Sequence, residues 1–217
     1  MKRIAVVTAN IGGFDEIKGI CKQTIEIDYF HYTENNLPFP LPNLNNRLKS
    51  KYIKTQMHRF LPDYDYYVWL DGSIRVNGGN FIEHITENIE ANDISMYIHR
   101  ERKSVYEELD FIDSEIKKGN PYLVTRYAHQ QMIKEALFYA KNKLPFDYPL
   151  YGCYTFARQN TEKVNKCFDE WWRRCIEFSS FDQTMFSYVA WEHNLIVNGI
   201  VHDDIRTHKL FTKEPHL

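Results

Sequence analysis

Short runs of β-forming residues alternate with stretches of helical periodicity along the whole chain, and no other feature narrows the fold as much. The runs Arg3–Thr8 (RIAVVT), Thr24–Thr33, Tyr66–Leu70, Asp93–His99, Leu150–Arg158 and Leu195–Val201 read as strands. Between them, apolar residues recur at helical spacing over Leu48–Leu61, Phe81–Glu90, Ser104–Lys117, Tyr122–Lys141, Thr161–Phe178 and Asp182–His193. Asn35–Asn46, with three prolines and five asparagines, reads as a loop. Strands alternating with helices pack as an α/β layer, with helices flanking a mixed, mostly parallel central sheet. A length of 217 residues suits one such domain over residues 1–217.

In sheets of this kind ligands sit outside the carboxyl ends of the strands. Three polar segments are expected there: Thr8–Gly13, Asp71–Ser73 and His99–Arg102. Asp71 follows the buried-looking run Tyr66–Leu70, and a carboxylate so placed can hold Mg²⁺ or Mn²⁺. Gly72 admits close backbone approach and Ser73 adds an oxygen ligand. Asp-Gly-Ser is equally a turn that simply closes the strand, and the residues alone leave both readings open.

Thr8 and Asn10 offer polar groups for a nucleobase, ribose or phosphate, although the loop is not a GxGxxG cradle. Arg47, Lys49, Lys51 and Lys54 lie on or near the first long helix and can face phosphates or solvent. Arg100 and Arg102 can grip a phosphate or a carboxylate, while Ser104 and Glu107 form an S-x-x-E capping box. Asp182 opens a helix, either as a cap with Ser179 or Ser180 beside it, or as a carboxylate that acts as base or positions a sugar hydroxyl. His202 and His208 follow the last strand and are candidate metal ligands or exposed side chains.

Bulk properties exclude some classes. A net charge of −2 without a basic block argues against nucleic-acid binding. Four cysteines without CxxC spacing point to a reducing compartment, and no apolar stretch approaches the roughly 20 residues of a membrane span, so a cytoplasmic protein is expected. Aromatic residues make up 15 %, enough to line a sugar or nucleobase cleft as well as the core.

The segment KYIKTQMHRFLPDYDYYVWLDGSIRV, with VVTANIGGFDEI before it and HRERKSVYEELDFI and FDQTMFSYVAW after it, resembles the DUF616 family of glycosyltransferase-like proteins in both motifs and order. It is similar, more widely, to nucleotide-sugar transferases of GT-A fold. The resemblance implies a GT-A-like domain in which Asp71 opens a D-x-D metal and diphosphate motif, with Ser73 standing where a second Asp is usual. It further implies that Thr8 and Asn10 contact uridine, Lys51 and Lys54 face the donor, Asp182 meets the donor sugar or acceptor, and His202 or His208 completes the metal site.

The expected activity is therefore metal-dependent transfer of a sugar, with Mn²⁺ or Mg²⁺, from a nucleotide-sugar donor (a UDP-sugar) to a hydroxyl of a glycan acceptor. Two alternatives are a non-catalytic nucleotide- or glycan-binding module, motivated by Ser73, and a phosphatase with Asp71 as nucleophile.

Overall fold

The computed structural model describes residues 2–16, 19–38, 40–41, 43–130, 132–202 and 208–214. Six strands form the central sheet: β1 (Ile4–Ala9), β2 (Asp28–Tyr32), β3 (Tyr66–Asp71), β5 (Ile94–Ile98), β6 (Tyr151–Gln159) and β7 (Val197–Ile200). Their order is β2-β1-β3-β6-β5-β7. β6 runs antiparallel to both its neighbours and the other five strands are parallel, so the expected mixed, mostly parallel sheet flanked by helices is what the chain forms. β4 (Ile74–Val76) and β8 (Phe211–Lys213) make a separate two-stranded antiparallel sheet.

Strand alternation divides the core in two. Ala5, Val7, Tyr67 and Trp69 face one side of the sheet. They are covered by α1 (Asn46–Thr55), α2 (Met57–Phe60), α4 (Val105–Lys117), α5 (Pro121–Tyr127), α6 (Met132–Lys141), α7 (Glu162–Glu177) and α8 (Asp182–Glu192). Ile4, Val6, Val68 and Leu70 face the other side, beneath α3 (Phe81–Thr86) and the small sheet.

Several elements differ from the sequence reading. The strand expected over Thr24–Thr33 is ordered as a strand only from Asp28, where pairing with Ala5 begins. The first long helix breaks at Gln56, whose backbone leaves helical geometry while its side chain bonds Phe168 O and Arg59. The helix expected over Tyr122–Lys141 is two helices. Gln130 lies between them, donating to Arg126 O and Ser180 Oγ and accepting from Ser180 N. The helix expected over Phe81–Glu90 stops at Thr86, because Asn88 takes a left-handed φ of 63° before a 3-10 turn. The polar tail after β7 contains β8, which the sequence reading left out.

The capping expectations divide. Ser104 accepts from Glu107 N as expected, but the Glu107 carboxylate accepts from Lys103 N. Asp182 is the first residue of α8 and does not cap it; its carboxylate is engaged elsewhere.

Candidate active site

β1 and β3 run side by side and end together, with Ala9 opposite Asp71. Asp71 continues the parity of Tyr67 and Trp69, so its side chain projects toward the face that carries α1 and α8. There a cleft of about 400 Å³ opens between the two strand ends, one face of α1, α5 and the start of α8. Asn10, Asp15, Arg47, Lys51, Lys54 and Asp71 line it, together with Arg126, Asp182, Lys213 and the rings of Phe14, Tyr122, Tyr127 and Phe181.

The floor is an ion cluster. Asp182 Oδ2 lies 2.6 Å from Lys54 Nζ and 2.7 Å from Lys51 Nζ, and Lys54 Nζ is also 3.3 Å from Asp71 Oδ1. Helical spacing puts Lys51 and Lys54 on one face of α1, as expected. Lys54 is only 1 % exposed, packed near the rings of Trp69 and Trp171. Burial opposes its charge, but the Asp182 and Asp71 carboxylates outweigh burial and hold the ammonium above the ordinary lysine range. Asp182 answers in kind: burial would raise it, but Lys51 and Lys54 hold it well below the usual carboxylate range. Asp71 Oδ1 also accepts a 2.6 Å hydrogen bond from Trp69 Nε1, and the carboxylate is about one-third exposed to the cleft.

The loop after β1 forms the second wall. Asn10 Nδ2 donates to Asp15 O and Asn10 Oδ1 accepts from Asp15 N, so its amide braces residues 10–15. Gly12 has a φ of 85°, and a Cβ there would come within 2.5 Å of Asn46 Nδ2. Gly72 permits another close approach: a Cβ on it would lie 2.5 Å from Asp15 Oδ2. The turn thus lets a second carboxylate stand beside Asp71.

Of the expected site residues, the structure brings Asn10, Arg47, Lys51, Lys54, Asp71, Gly72 and Asp182 together and leaves Thr8, Lys49, Ser73, Arg100, Arg102, His202 and His208 apart. Thr8 is buried with the parity of Val6, facing away from the cleft. Arg100 and Arg102 follow β5, two strands beyond β3, and do not line the cleft. Arg102 is tied to Glu108 and Glu101 and lies over the Phe111 ring.

The expected metal ligands do not converge either. Ser73 is buried, and its Oγ has no hydrogen-bond partner among the described residues. His202 Nε2 shares a 2.9 Å hydrogen bond with Tyr154 Oη. The His208 ring stacks 4.4 Å from Phe211. Both histidines pack on Tyr97, on the sheet face opposite to Asp71. Among the described residues no three His, Cys, Asp or Glu side chains gather in a metal-binding group. The expected four-residue set therefore does not fit a single divalent-ion site, and at Asp71 an ammonium already supplies positive charge.

Asp15, Arg126, Lys213 and the particular rings of the wall escaped the sequence reading, which expected aromatic lining only in general. Asp15 was in view within the Gly-Gly-Phe-Asp loop, whereas nothing local distinguishes Arg126 within an apparently continuous helix.

A family model described as a TOD1/MUCI70 glycosyltransferase-like domain matches residues 35–216, most of the chain. The chain belongs to the TOD1/MUCI70 family. The match spans the ion cluster, the Asp71 turn and β8, and the β1 loop that forms the second wall precedes it. No curated protein matches the chain. Among solved structures, the apo form of the bifunctional glycosyltransferase WbbM is similar at a TM-score of 0.49 and 10 % identity, over 92 % of this chain and 39 % of that one. This TOD1/MUCI70 domain thus spans well under half of that protein. Among its described residues no helix is long and apolar enough to cross a membrane.

Proposed function

We propose that this TOD1/MUCI70 domain is a glycosyltransferase that takes a sugar from a UDP-sugar and delivers it to a hydroxyl of a glycan acceptor. The observation that carries this reading is the charge of the cleft at the ends of β1 and β3. Five cationic side chains line it against three carboxylates, a surplus of two positive charges. A nucleoside-diphosphate sugar carries two negative charges on its diphosphate and releases the diphosphate as leaving group. Fixed cations in a partly dehydrated cleft stabilise that developing charge without reorganising. The rings of Phe14, Tyr122, Tyr127 and Phe181 supply apolar faces for a base or a sugar.

Asp182 is a poor proton acceptor, because two ammonium groups stabilise its ionised form. Its role in this reading is to hold Lys51 and Lys54 at the cleft floor. Asp71 and Asp15 are the carboxylates that reach the cleft from the strand ends, and an acceptor hydroxyl aligned there would lose its proton to one of them.

The test is a thermal-shift series followed by turnover. UDP raises the melting temperature and uridine does so less, because a ligand that prefers the folded state stabilises it. A panel of UDP-, GDP- and CMP-sugars with glycan acceptors, with and without Mn²⁺, then releases UDP. Asp71→Asn lowers the rate by a factor of about 10² or more. A protein whose melt responds to no nucleotide, and which releases none, would sink the reading. Binding without release under any acceptor would favour a binding module.

A further inference from the structure

The two lysines that sequence reasoning points toward the donor are already matched by carboxylates, Lys51 by Asp182 and Lys54 by Asp182 and Asp71. The surplus positive charge of the cleft therefore lies among Arg47, Arg126 and Lys213, against Asp15 as the remaining carboxylate; Lys213 is exposed at the rim and lies over the Tyr154 ring. Arg47 and Arg126 both line the cleft, and neither is paired with a carboxylate among the described residues. Arg47 uses Nη1 alone, on Arg126 O at 2.9 Å and Ser180 Oγ at 3.1 Å. Arg126 uses Nη1 alone, on Tyr122 Oη. Nε and Nη2 of both guanidinium groups make no hydrogen bond to the described residues.

Both groups are nevertheless held in place. The Arg126 guanidinium lies 4.4 Å from the Phe14 ring and 4.5 Å from the Tyr122 ring, which anchors it between the β1 loop and α5. Arg47 lies 5.3 Å from the Tyr127 ring. Both side chains are only partly exposed. Burial comes first among the causes that lower the Arg47 pKa, and the charge of Arg126 lowers it further. Two guanidinium groups repelling each other at one cleft, with donors unused and no carboxylate paired to them among the described residues, form a receptor for a doubly charged oxyanion.

We propose that Arg47 and Arg126 form the diphosphate seat of this cleft, gripping the donor's phosphate oxygens directly, with Lys51 and Lys54 serving as the ionic floor beneath. This rests on the nucleotide-sugar reading above and assigns its anion to Arg47, one of the basic residues expected near phosphates, and to Arg126, which the sequence reading missed. Asp71 then stands near the diphosphate as an unbridged negative charge. That gives the proposal a sign that a metal-bridged site would reverse.

Inorganic pyrophosphate and UDP are titrated calorimetrically into the whole protein in EDTA and again in Mn²⁺, for wild type, Arg47→Gln, Arg126→Gln, Arg126→Lys and Asp71→Asn. Melting temperatures confirm that each variant is folded, and Arg126→Gln keeps the test alive should Arg47→Gln lose its bonds to α5 and Ser180. Pyrophosphate is expected to bind wild type in EDTA, tenfold or more weakly to either glutamine variant, and only partly restored by Arg126→Lys, which keeps charge but not the fork. Asp71→Asn is expected to tighten pyrophosphate several-fold. Two results would overturn the seat while leaving the donor reading intact: UDP binding equally well to wild type and both glutamine variants, or binding that needs Mn²⁺ and is lost in Asp71→Asn. If neither UDP nor pyrophosphate binds under any condition, the donor reading fails along with it.

Discussion

Lys54 and Arg158 are both cations removed from water, 1 % and 0 % exposed, on the same side of the central sheet. Lys54 is met by carboxylates and held above its ordinary pKa. Arg158 touches none among the described residues: it lies 4.5 Å from the Tyr67 ring and 4.2 Å from the Phe168 ring and donates to Asn165 Oδ1 at 2.8 Å. Burial pulls its pKa down to about 10. Beside it, His58 is pushed down to about 4, by burial first and then by the Arg158 charge. The neutral ring accepts from Arg158 through Nδ1 and donates to Asp169 through Nε2. Ring faces and neutral acceptors stabilise a cation that only has to pack. Fixed opposite charges stabilise the buried ammonium at the cleft floor.

The largest blow to that contrast is Asp182→Ala, which strips Lys51 and Lys54 of their shared partner. Leaving buried charge uncompensated typically costs about 3–5 kcal/mol. Urea denaturation of the variant is expected to show a loss of that order; a loss below about 1 kcal/mol would mean that water reaches the lysines.

A smaller effect comes from Glu135, a fully buried carboxyl whose partners among the described residues are hydroxyls, those of Tyr139, Ser179 and Thr184. Burial raises its pKa to about 7, and the hydroxyls oppose this only in part. The folded state therefore holds a proton that the unfolded chain has released above its ordinary pKa of 4.5. Stability falls as pH rises through that window and levels off above about 7. Glu135→Gln removes this contribution. The wild type is expected to lose ground to the variant at up to about 1.4 kcal/mol per pH unit between roughly pH 4.5 and 7. A constant difference across that range would show that hydroxyls alone can hold the buried charge.

The smallest effect is Arg158→Met. Replacing a buried cation with an apolar chain removes its desolvation cost but orphans His58 Nδ1 and Asn165 Oδ1, for a net loss of about 1–2 kcal/mol. UDP affinity should be unchanged in the same variant. A drop in affinity would show that Arg158 supports the cleft after all.

What could be read in advance follows from the range of the forces involved. Strand runs and helix faces are written locally, so the α/β layering and the Lys51–Lys54 spacing were legible. Asp71 was legible because a charge directly after a buried strand is conspicuous. The break between α5 and α6 was not, because it involves Gln130 bonding to Ser180, 50 residues away. That break accompanies Arg126 at the cleft. The fate of the histidines was hidden for a similar reason: strand parity places Tyr97 and Tyr154 on the face opposite to Asp71, and both rings draw His202 there. β4 and β8, three residues each, are too short for any periodicity to register.

Those two short strands also impose a schedule. β4 directly follows the Asp71 turn, yet its partner β8 lies across most of the chain in sequence, with Glu214 N closing onto Ser73 O at 2.8 Å and Lys213 reaching the cleft. A nascent chain released as far as β7 possesses every strand of the large sheet and still lacks one edge of its binding cleft. During synthesis the large sheet can therefore be complete while the cleft still waits for β8 to bring Lys213 to its edge.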